Sequence, residues 1–464
     1  MKKNIFKLGV FLIALFILQL AFFSFLQLYR GPALAANPYN RRLNEFETRV
    51  KRGDIVGARG VILAHTDYSA GPGRRLYPQA ADTAAVIGYI SDRFGRTGLE
   101  SRYDRHLLGL EGADQLRNTV NRILDRQQAG GNVILTLDSA LQGKAMALLA
   151  GRRGAAVLLD VRTGAVRVLV SSPSFDPNRL DANWENYIKD PDAPLLNRAA
   201  DGAYPPGSTF KLVTAAGALA QQPGAAGGKF NCPGYLVVNG FRLTDLKAHG
   251  EVDLQKAIAL SCNVTFASLG LKMGPEGFMG AVHSFGLDQE PPLELPARAG
   301  AFASLSSLKD AELASSAIGQ GEVLVSPLQM AMVTAGIANR GVLMSPYLVQ
   351  ELKDSLGRTV QKKSPAPWRT ATTPEISAAI TWGMVDAVRS GTAAGAALPG
   401  VAVAGKTGSA ENSGGITHAW FTGFAPSENP RLAVAVVVEN AGGGGAVAAP
   451  LAGKLLAAAL AQGY

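Results

Sequence analysis

One stretch, Tyr204 to Ala216, limits the fold of this chain more than any other: Pro205, Pro206 and Gly207 stop the backbone, and Ser208, Thr209, Phe210 and Lys211 start a new helix. The diproline and glycine cannot propagate a helix. The following Phe210, Leu212, Val213, Ala215, Ala216, Ala218 and Leu219 are apolar on nearly every face, which predicts a buried helix. Ser208 then sits at the N-terminal end, where the helix dipole favours negative charge, and Lys211, three residues on, shares its face. The spacing lets the Lys211 amine lie beside the Ser208 hydroxyl, so the pair is a candidate nucleophile and its base.

A lone Ser-x-x-Lys has little specificity, since about one or two arise by residue frequency in a chain this long. Ser306 and Lys309 repeat the spacing, within a Ser-rich stretch, Ser304 to Ser307, that reads as a loop. Order separates the two pairs. Downstream of Ser208 come Ser261, Cys262 and Asn263, and then Lys406, Thr407 and Gly408; a second Ser-x-Asn, Ser427 to Asn429, follows the Lys-Thr-Gly and fails the order.

With 464 residues, 47% of them hydrophobic, and 53 glycines, the chain has enough apolar material for two or three globular domains. The formal charge is +9, but the basic residues are dispersed, without a basic helix or aromatic-interleaved patch. This argues against a nucleic-acid partner and fits attraction to an anionic envelope surface. The two cysteines, Cys232 and Cys262, are too few for a disulfide framework and lack metal-ligand spacing, so both read as packing residues and no metal or cofactor is expected.

Lys2, Lys3 and Lys7 precede an apolar run from Leu8 to Leu28. As a helix its 21 residues span about 31 Å, against a hydrocarbon core of roughly 30 Å. The lysines place the N-terminus inside and the rest of the chain on the outer face of the cell membrane. A cleaved signal peptide is the competing reading, because Ala33, Leu34 and Ala35 resemble a cleavage site; the run exceeds the usual h-region of about 7 to 15 residues and Arg30 intervenes, which favours an uncleaved single-pass anchor over residues 1–36.

Residues 37–131 read as a small α+β pedestal, too short for a second catalytic domain, and its many arginines between Arg74 and Arg126 read as a solvated basic surface. Residues 132–464 form the third unit. Asp138 and Ser139 offer an N-cap for a helix to about Gly151, and strands are expected at Ala155 to Leu159 and Ala165 to Val170. A largely helical insertion runs from about Asp181 to Ser390. Three more strands, Val401 to Ala410, Trp420 to Ala425 and Leu432 to Glu439, precede an Ala-rich helix. The expected α+β architecture is an antiparallel five-stranded sheet sandwiched by helices, with a helical subdomain. His249 reads as a turn residue, His418 as a strand-edge contact, and Trp420 and Phe421 as core.

The ordered Ser208–Lys211, Ser261–Asn263 and Lys406–Gly408 motifs resemble those of penicillin-recognising serine enzymes. The chain as a whole resembles a class B penicillin-binding protein, a D,D-transpeptidase of peptidoglycan synthesis. Arg52, Gly53, Ile55, Gly60, Leu63 and Ala64 match the pedestal's opening motif, and Gly98, Leu99, Glu100, Tyr103, Leu108, Gly109 and Gly112 a later one. Leu135 to Asp138 with Gln142, Ser172 to Asn178, Gly319 to Gly321 with Pro327 and Gln329, and Ala419 to Pro426 match transpeptidase signatures. The short pedestal and lack of a C-terminal appendage are most similar to the penicillin-binding protein A subgroup. Two departures stand out. Gly57 and Ala58 replace the usual Asp-Arg, which puts the pedestal's usual salt links in question, and Ser409 replaces the commoner Thr after Lys-Thr-Gly.

The resemblance implies the penicillin-binding transpeptidase and serine β-lactamase-like fold and a role for each motif residue. Ser208 would attack the penultimate D-Ala carbonyl and Lys211 would take its proton, its pKa lowered by burial and by the Lys406 cation. Ser261 would shuttle the proton to the leaving amine and Asn263 would hold the substrate amide. Thr407 would contact the substrate carboxylate, Lys406 and Gly408 would line the cleft, and the backbone N–H groups of Ser208 and Ser409 would form the oxyanion hole. The implied partners are peptidoglycan stem peptides, β-lactams and a polytopic membrane lipid II polymerase. Two other functions stay open on the same fold: a hydrolase, either D,D-carboxypeptidase or β-lactamase, and a non-catalytic penicillin-binding sensor.

Overall fold

The structure, a computed structural model, describes residues 2–30, 50–69, 73–304, 307–411 and 415–464. The cleavage-like Ala33 to Ala35, the start of the pedestal and Ser306 lie outside the described residues. Helix α1 (Lys2–Phe25) is followed by a π-helical turn, Leu26–Arg30. Its Lys3–Phe25 span is long and apolar enough to cross a membrane, and none of it is buried within the protein.

A six-stranded sheet crosses the boundary expected at 131/132. Its order is Thr359–Lys362, Val349–Lys353, Asn132–Leu135, Ile55–Val56, Ile62–Asp67 and Arg74–Leu76. Ile55 pairs with Val133 in parallel, and Val349 pairs with Leu135 antiparallel, so strands from both sides of that boundary share one ladder.

The arginines of this region are not all solvated, as the sequence reading expected. Arg52 Nη1 lies 2.7 Å from Asp104 Oδ1, Arg52 Nη2 lies 2.8 Å from Glu100 Oε2, and Arg75 Nε lies 2.6 Å from Glu100 Oε1. Arg96 also pairs with Asp104. Burial alone would raise the Glu100 pKa, but the Arg75 and Arg52 guanidinium groups outweigh it and hold the carboxyl below its ordinary value. Salt links are therefore present despite Gly57 and Ala58. A run of arginines carries no signature of its acidic partners, Glu100 and Asp104, which is why sequence alone placed them in water.

The main sheet contains β1 (Gly154–Asp160), β2 (Val166–Ser172), β3 (Ala404–Ala410), β4 (His418–Ala425) and β5 (Leu432–Val438), in the order β2-β1-β5-β4-β3, antiparallel throughout. All seven residues of β5 are buried, as a sheet covered on both faces requires. Leu432, Val434, Val436 and Val438 pack with helices α2 (Ser139–Leu149) and the final Ala448–Ala461 helix, whereas Ala433, Ala435 and Val437 join the core of the central helices. Those are α3 (Lys211–Gln221), α4 (Asn263–Ser284) and α5 (Pro327–Ala338), the last buried along its whole length. Asp138 caps α2, accepting from the N–H groups of Ala140 and Leu141.

The insertion read as largely helical also contains short hairpins. Lys229–Cys232 pairs with Gly250–Asp253, and Tyr235–Val238 pairs with Phe241–Thr244. Strands of four residues are too short to show a period of two above chance.

Candidate active site

Gly207–Phe210 forms a single 3₁₀ turn that runs directly into α3. Gly207 takes φ +53°, in the left-handed region that favours glycine, and its N–H donates to Gly319 O at 2.9 Å. The turn is pinned from other directions as well. Thr209 Oγ1 donates to Pro206 O at 2.8 Å and Trp420 Nε1 on β4 donates to Pro205 O at 3.0 Å. A Cβ on Gly408 of β3 would sit 2.8 Å from Pro206 O, so glycine there lets the edge strand close onto the turn. Ser208 is thereby held at the N-terminal end of the helix, half-buried, and among the described residues its hydroxyl has no hydrogen-bond partner.

The Lys211 side chain is fully buried, but its hydrogen bonds do not go to Ser208. Nζ donates to Ser261 O and to Asn263 Oδ1, each at 2.6 Å, and lies 3.2 Å from Ser261 Oγ. A buried amine needs acceptors, and these oxygens supply them. Lys406, equally buried, donates to Ser261 Oγ at 2.7 Å and to Thr407 O at 3.0 Å. Both amines therefore converge on the Ser261 hydroxyl. Ser261 itself holds φ +60°, left-handed for a non-glycine residue, at the end of the Leu254–Leu260 helix.

Burial lowers the Lys211 pKa to about 7, with Asp245 opposing. Burial and then the Lys211 charge push Lys406 well below the ordinary lysine value. The sequence reading made Lys406 a cause of the low Lys211 value; in the structure burial lowers Lys211, and it is Lys211 that acts on Lys406. A neutral Lys211 has two N–H donors and one lone pair. With both donors on Ser261 O and Asn263 Oδ1, the third position, the lone pair, is left for the Ser261 hydroxyl 3.2 Å away.

The structure brings Ser208, Lys211, Ser261, Asn263 and the Lys406–Ser409 segment to one place, with differences in detail. Asn263 was expected to hold substrate, yet its Oδ1 accepts from Lys211 and its Nδ2 donates to Thr244 O at 2.9 Å. Thr407 Oγ1 donates to Thr392 Oγ1 at 2.9 Å, and Ser409 Oγ accepts from Gly444 N at 3.3 Å. Trp420 and Phe421 are core, as expected. His418 begins β4, where its Nδ1 accepts from the Asn440 N–H at 3.1 Å and its ring meets Tyr204 edge-on.

Sequence reasoning missed Asp245, whose Oδ2 accepts from the N–H groups of Asn263 at 2.7 Å and Val264 at 3.3 Å, at the start of α4. It also missed that Cys232, Asp245, His249 and Cys262 gather, with one ligand atom from each within 4.8 Å of the others. The separations of these four residues follow no short motif. Only the packing of the two short strand pairs against the start of α4 unites them.

Residues 154–457 match the penicillin binding protein transpeptidase domain, and residues 52–133 match the penicillin binding protein A dimerisation domain. The peptidoglycan D,D-transpeptidase PbpA of Mycolicibacterium smegmatis is 36% identical, the alignment covering 100% of both chains. The PbpA of Mycobacterium tuberculosis is 34% identical over 99% of each. The solved structure of penicillin-binding protein A from M. tuberculosis as a ceftriaxone acyl-enzyme superposes with TM-score 0.85 at 33% identity, covering 90% of this chain and 100% of that one. Its imipenem acyl-enzyme gives 0.84 at 34% identity, covering 89% and 100%. With the Ser208, Ser261 and Lys406 motifs gathered in one cleft, the chain belongs to the class B penicillin-binding proteins, in the penicillin-binding protein A group.

Proposed function

We propose that the protein is a peptidoglycan D,D-transpeptidase that crosslinks stem peptides through an acyl-enzyme on Ser208, and that β-lactams acylate the same hydroxyl. The observation that carries this reading is the fully buried Lys211, lowered to about 7, whose two donors are committed to Ser261 O and Asn263 Oδ1. Neutral Lys211 takes the Ser208 proton as Oγ attacks the penultimate D-Ala carbonyl. Ser261, between the two lysines, passes a proton to the departing D-Ala amine. The amine of a second stem peptide then attacks the ester, forming the crosslink and restoring Ser208. Lys406 and Thr407 receive the substrate carboxylate, while Asn263 orients Lys211 until substrate displaces it. The backbone N–H groups of Ser208 and Ser409 stabilise the oxyanion, Gly408 keeping β3 close to the turn.

Transfer is favoured over hydrolysis by the fate of Asp245, the carboxylate that acts on Lys211. Its Oδ2 already accepts two backbone N–H groups, which leaves it poorly suited to activate water. The helix α1 serves as a single-pass anchor, with the catalytic unit on the outer face of the membrane and the pedestal turned toward a polytopic lipid II polymerase.

Incubating the full-length protein with labelled penicillin, and separately with a donor stem peptide and an amine acceptor, tests the reading. A stable adduct that Ser208→Ala abolishes, together with crosslinked product, is expected. Rapid release of the adduct would support a β-lactamase, and a stable adduct without D-Ala release would support a sensor. Replacing Leu8 to Leu28 with an unrelated spanning helix tests the partner: retained wall synthesis would reduce α1 to a tether.

A further inference from the structure

The Gly112–Ile123 helix of the pedestal is turned inside out. At 3.6 residues per turn, Leu116, Val120 and Ile123 share a stripe about 60° wide, the pattern that ordinarily marks the core-facing side of a helix. Here they are 73%, 53% and 76% exposed, and Leu124, which closes the helix, is 51% exposed. The inward face is polar instead, with Asp114 and Asn118 both buried. Asp114 Oδ2 accepts from Ser355 N at 2.8 Å and its Oδ1 from Ser355 Oγ at 2.7 Å. Asn118 Nδ2 donates to Gly109 O at 3.2 Å and to Ala129 O at 2.8 Å, while its Oδ1 accepts from Ala129 N at 3.1 Å. These bonds fix the rotation of the helix, so its apolar stripe has to face outward.

The position of this stripe points to its occupant. After α1 and its π-helical turn, the described chain resumes at Val50, and Val50 and Lys51 pair with Gln128 and Ala129. Only Asp125, Arg126 and Gln127 separate Gln128 from Leu124. The stripe therefore sits at the edge of the pedestal by which the chain arrives from its anchor. Its chemistry agrees with that place. The four residues are aliphatic, whereas the anchors of a tight protein interface are mainly Trp, Tyr and Arg. Exposed Lys51, Arg122 and Arg126 flank them, with Asp125 as the acidic neighbour. An aliphatic face rimmed by cations is the composition of a helix that lies in the plane of a bilayer surface, and the cations favour anionic lipid.

We propose that the Gly112–Ile123 helix lies flat on the outer leaflet of an anionic membrane. Leu116, Val120, Ile123 and Leu124 enter the boundary between headgroups and acyl chains, and Lys51, Arg122 and Arg126 meet lipid phosphates. The proposal rests on the reading of α1 as a membrane span. The two contacts together do what a span alone does not, since a single helix leaves the domain beyond it free to tilt and rotate. Ser355, which bonds Asp114, belongs to the turn between the Val349–Lys353 and Thr359–Lys362 strands of the shared six-stranded sheet. Orientation of the helix on the lipid is thereby passed to the transpeptidase unit, whose cleft is held in one attitude to the membrane.

The test uses the full-length protein, alone, in vesicles of equal parts phosphatidylcholine and phosphatidylglycerol. Ile123→Cys carries an environment-sensitive fluorophore, and Lys189→Cys, on an exposed helix of the transpeptidase unit, is the aqueous reference. The native Cys232 and Cys262 are fully buried and stay unlabelled. Lipids with a spin label high on the acyl chain should quench the fluorophore at 123 at least about twofold and leave that at 189 unchanged. Adding Leu116→Ser and Val120→Ser should bring the signal at 123 down to the level at 189, with penicillin acylation within about twofold of wild type. Vesicles of phosphatidylcholine alone should weaken the lipid quenching at 123. Aqueous iodide that quenches 123 as strongly as 189 overturns the proposal and leaves the face to a protein partner. Shielding from both quenchers that appears only at high protein-to-lipid ratio overturns it in favour of a second copy of the chain. Alkaline carbonate extraction reads the anchor separately: protein that stays with the vesicles yet shows no lipid quenching at 123 fails the helix contact alone.

Discussion

In the pedestal, Arg52, Arg75 and Arg96 are buried against Glu100 and Asp104, whereas in the cleft Lys211 and Lys406 are buried against each other with Ser261 Oγ between them. Among the described residues no carboxylate lies within ion-pair distance of either lysine. The pedestal's charges answer one another, so Glu100 stays ionised even with no exposure. The cleft's do not, and burial drives both lysines toward the neutral form. Paired burial fixes structure, and unpaired burial creates a base. The same physical cost serves stability in one region and chemistry in the other.

Substitution at each region should therefore produce opposite phenotypes. The largest effect is expected from Lys211→Met, which should slow acylation by labelled penicillin about 10²- to 10⁴-fold, the usual contribution of a positioned base. Stopped-flow labelling reads this directly. Lys406→Met should also slow it strongly, with Lys406→Arg intermediate because a planar guanidinium replaces a compact ammonium. Equal rates for Met and Lys at position 406 would remove the electrostatic role.

Glu100→Gln comes next. It leaves Arg52 and Arg75 buried without their carboxylate and should cost about 3 to 5 kcal/mol of stability, visible in denaturant unfolding. The acylation rate of the folded fraction should stay within about twofold. A large loss of rate at unchanged stability would erase the distinction between the two regions.

Much of the site was legible in the sequence. Pro205 to Gly207 cannot continue a helix, and Ser261 and Lys406 follow in order, so the three motifs stand out in the sequence itself. The strand expected at Leu432 to Glu439 is β5, all seven of whose residues are apolar and buried. What stayed hidden depends on contacts between distant segments. Nothing local to Arg75 or Arg96 points to Glu100 or Asp104, so buried arginines read as surface. Nothing in the Ser208–Lys211 spacing says that the amine will prefer Ser261 O and Asn263 Oδ1, carried by another element. Asp245 lies 18 residues from Asn263 across a hairpin of four-residue strands, too short to leave a period.

A smaller effect sharpens the comparison through pH. The folded Lys211 value is about 7 and the ordinary one 10.5, so between those limits the unfolded chain binds the proton that the folded chain has lost. Stability should then rise with pH across that window, by up to about 1.4 kcal/mol per unit for this group. Unfolding of Lys211→Met should show a slope shallower by about one proton. The smallest effect belongs to Lys309→Ala, alone or with Ser306→Ala: Lys309 is exposed at the start of the Asp310–Ala317 helix, and labelling should stay within about twofold of wild type.

The central claim is that an unpaired, buried Lys211 is neutral enough near pH 7 to deprotonate Ser208. The pH dependence of the second-order rate constant for penicillin acylation by the full-length enzyme tests it most directly, because that constant reports the free enzyme's base. Only the deprotonated amine acts, so the rate should climb about tenfold per pH unit in acid and level off above a midpoint near 7. A rising limb centred near the ordinary lysine value of 10.5 would contradict the account.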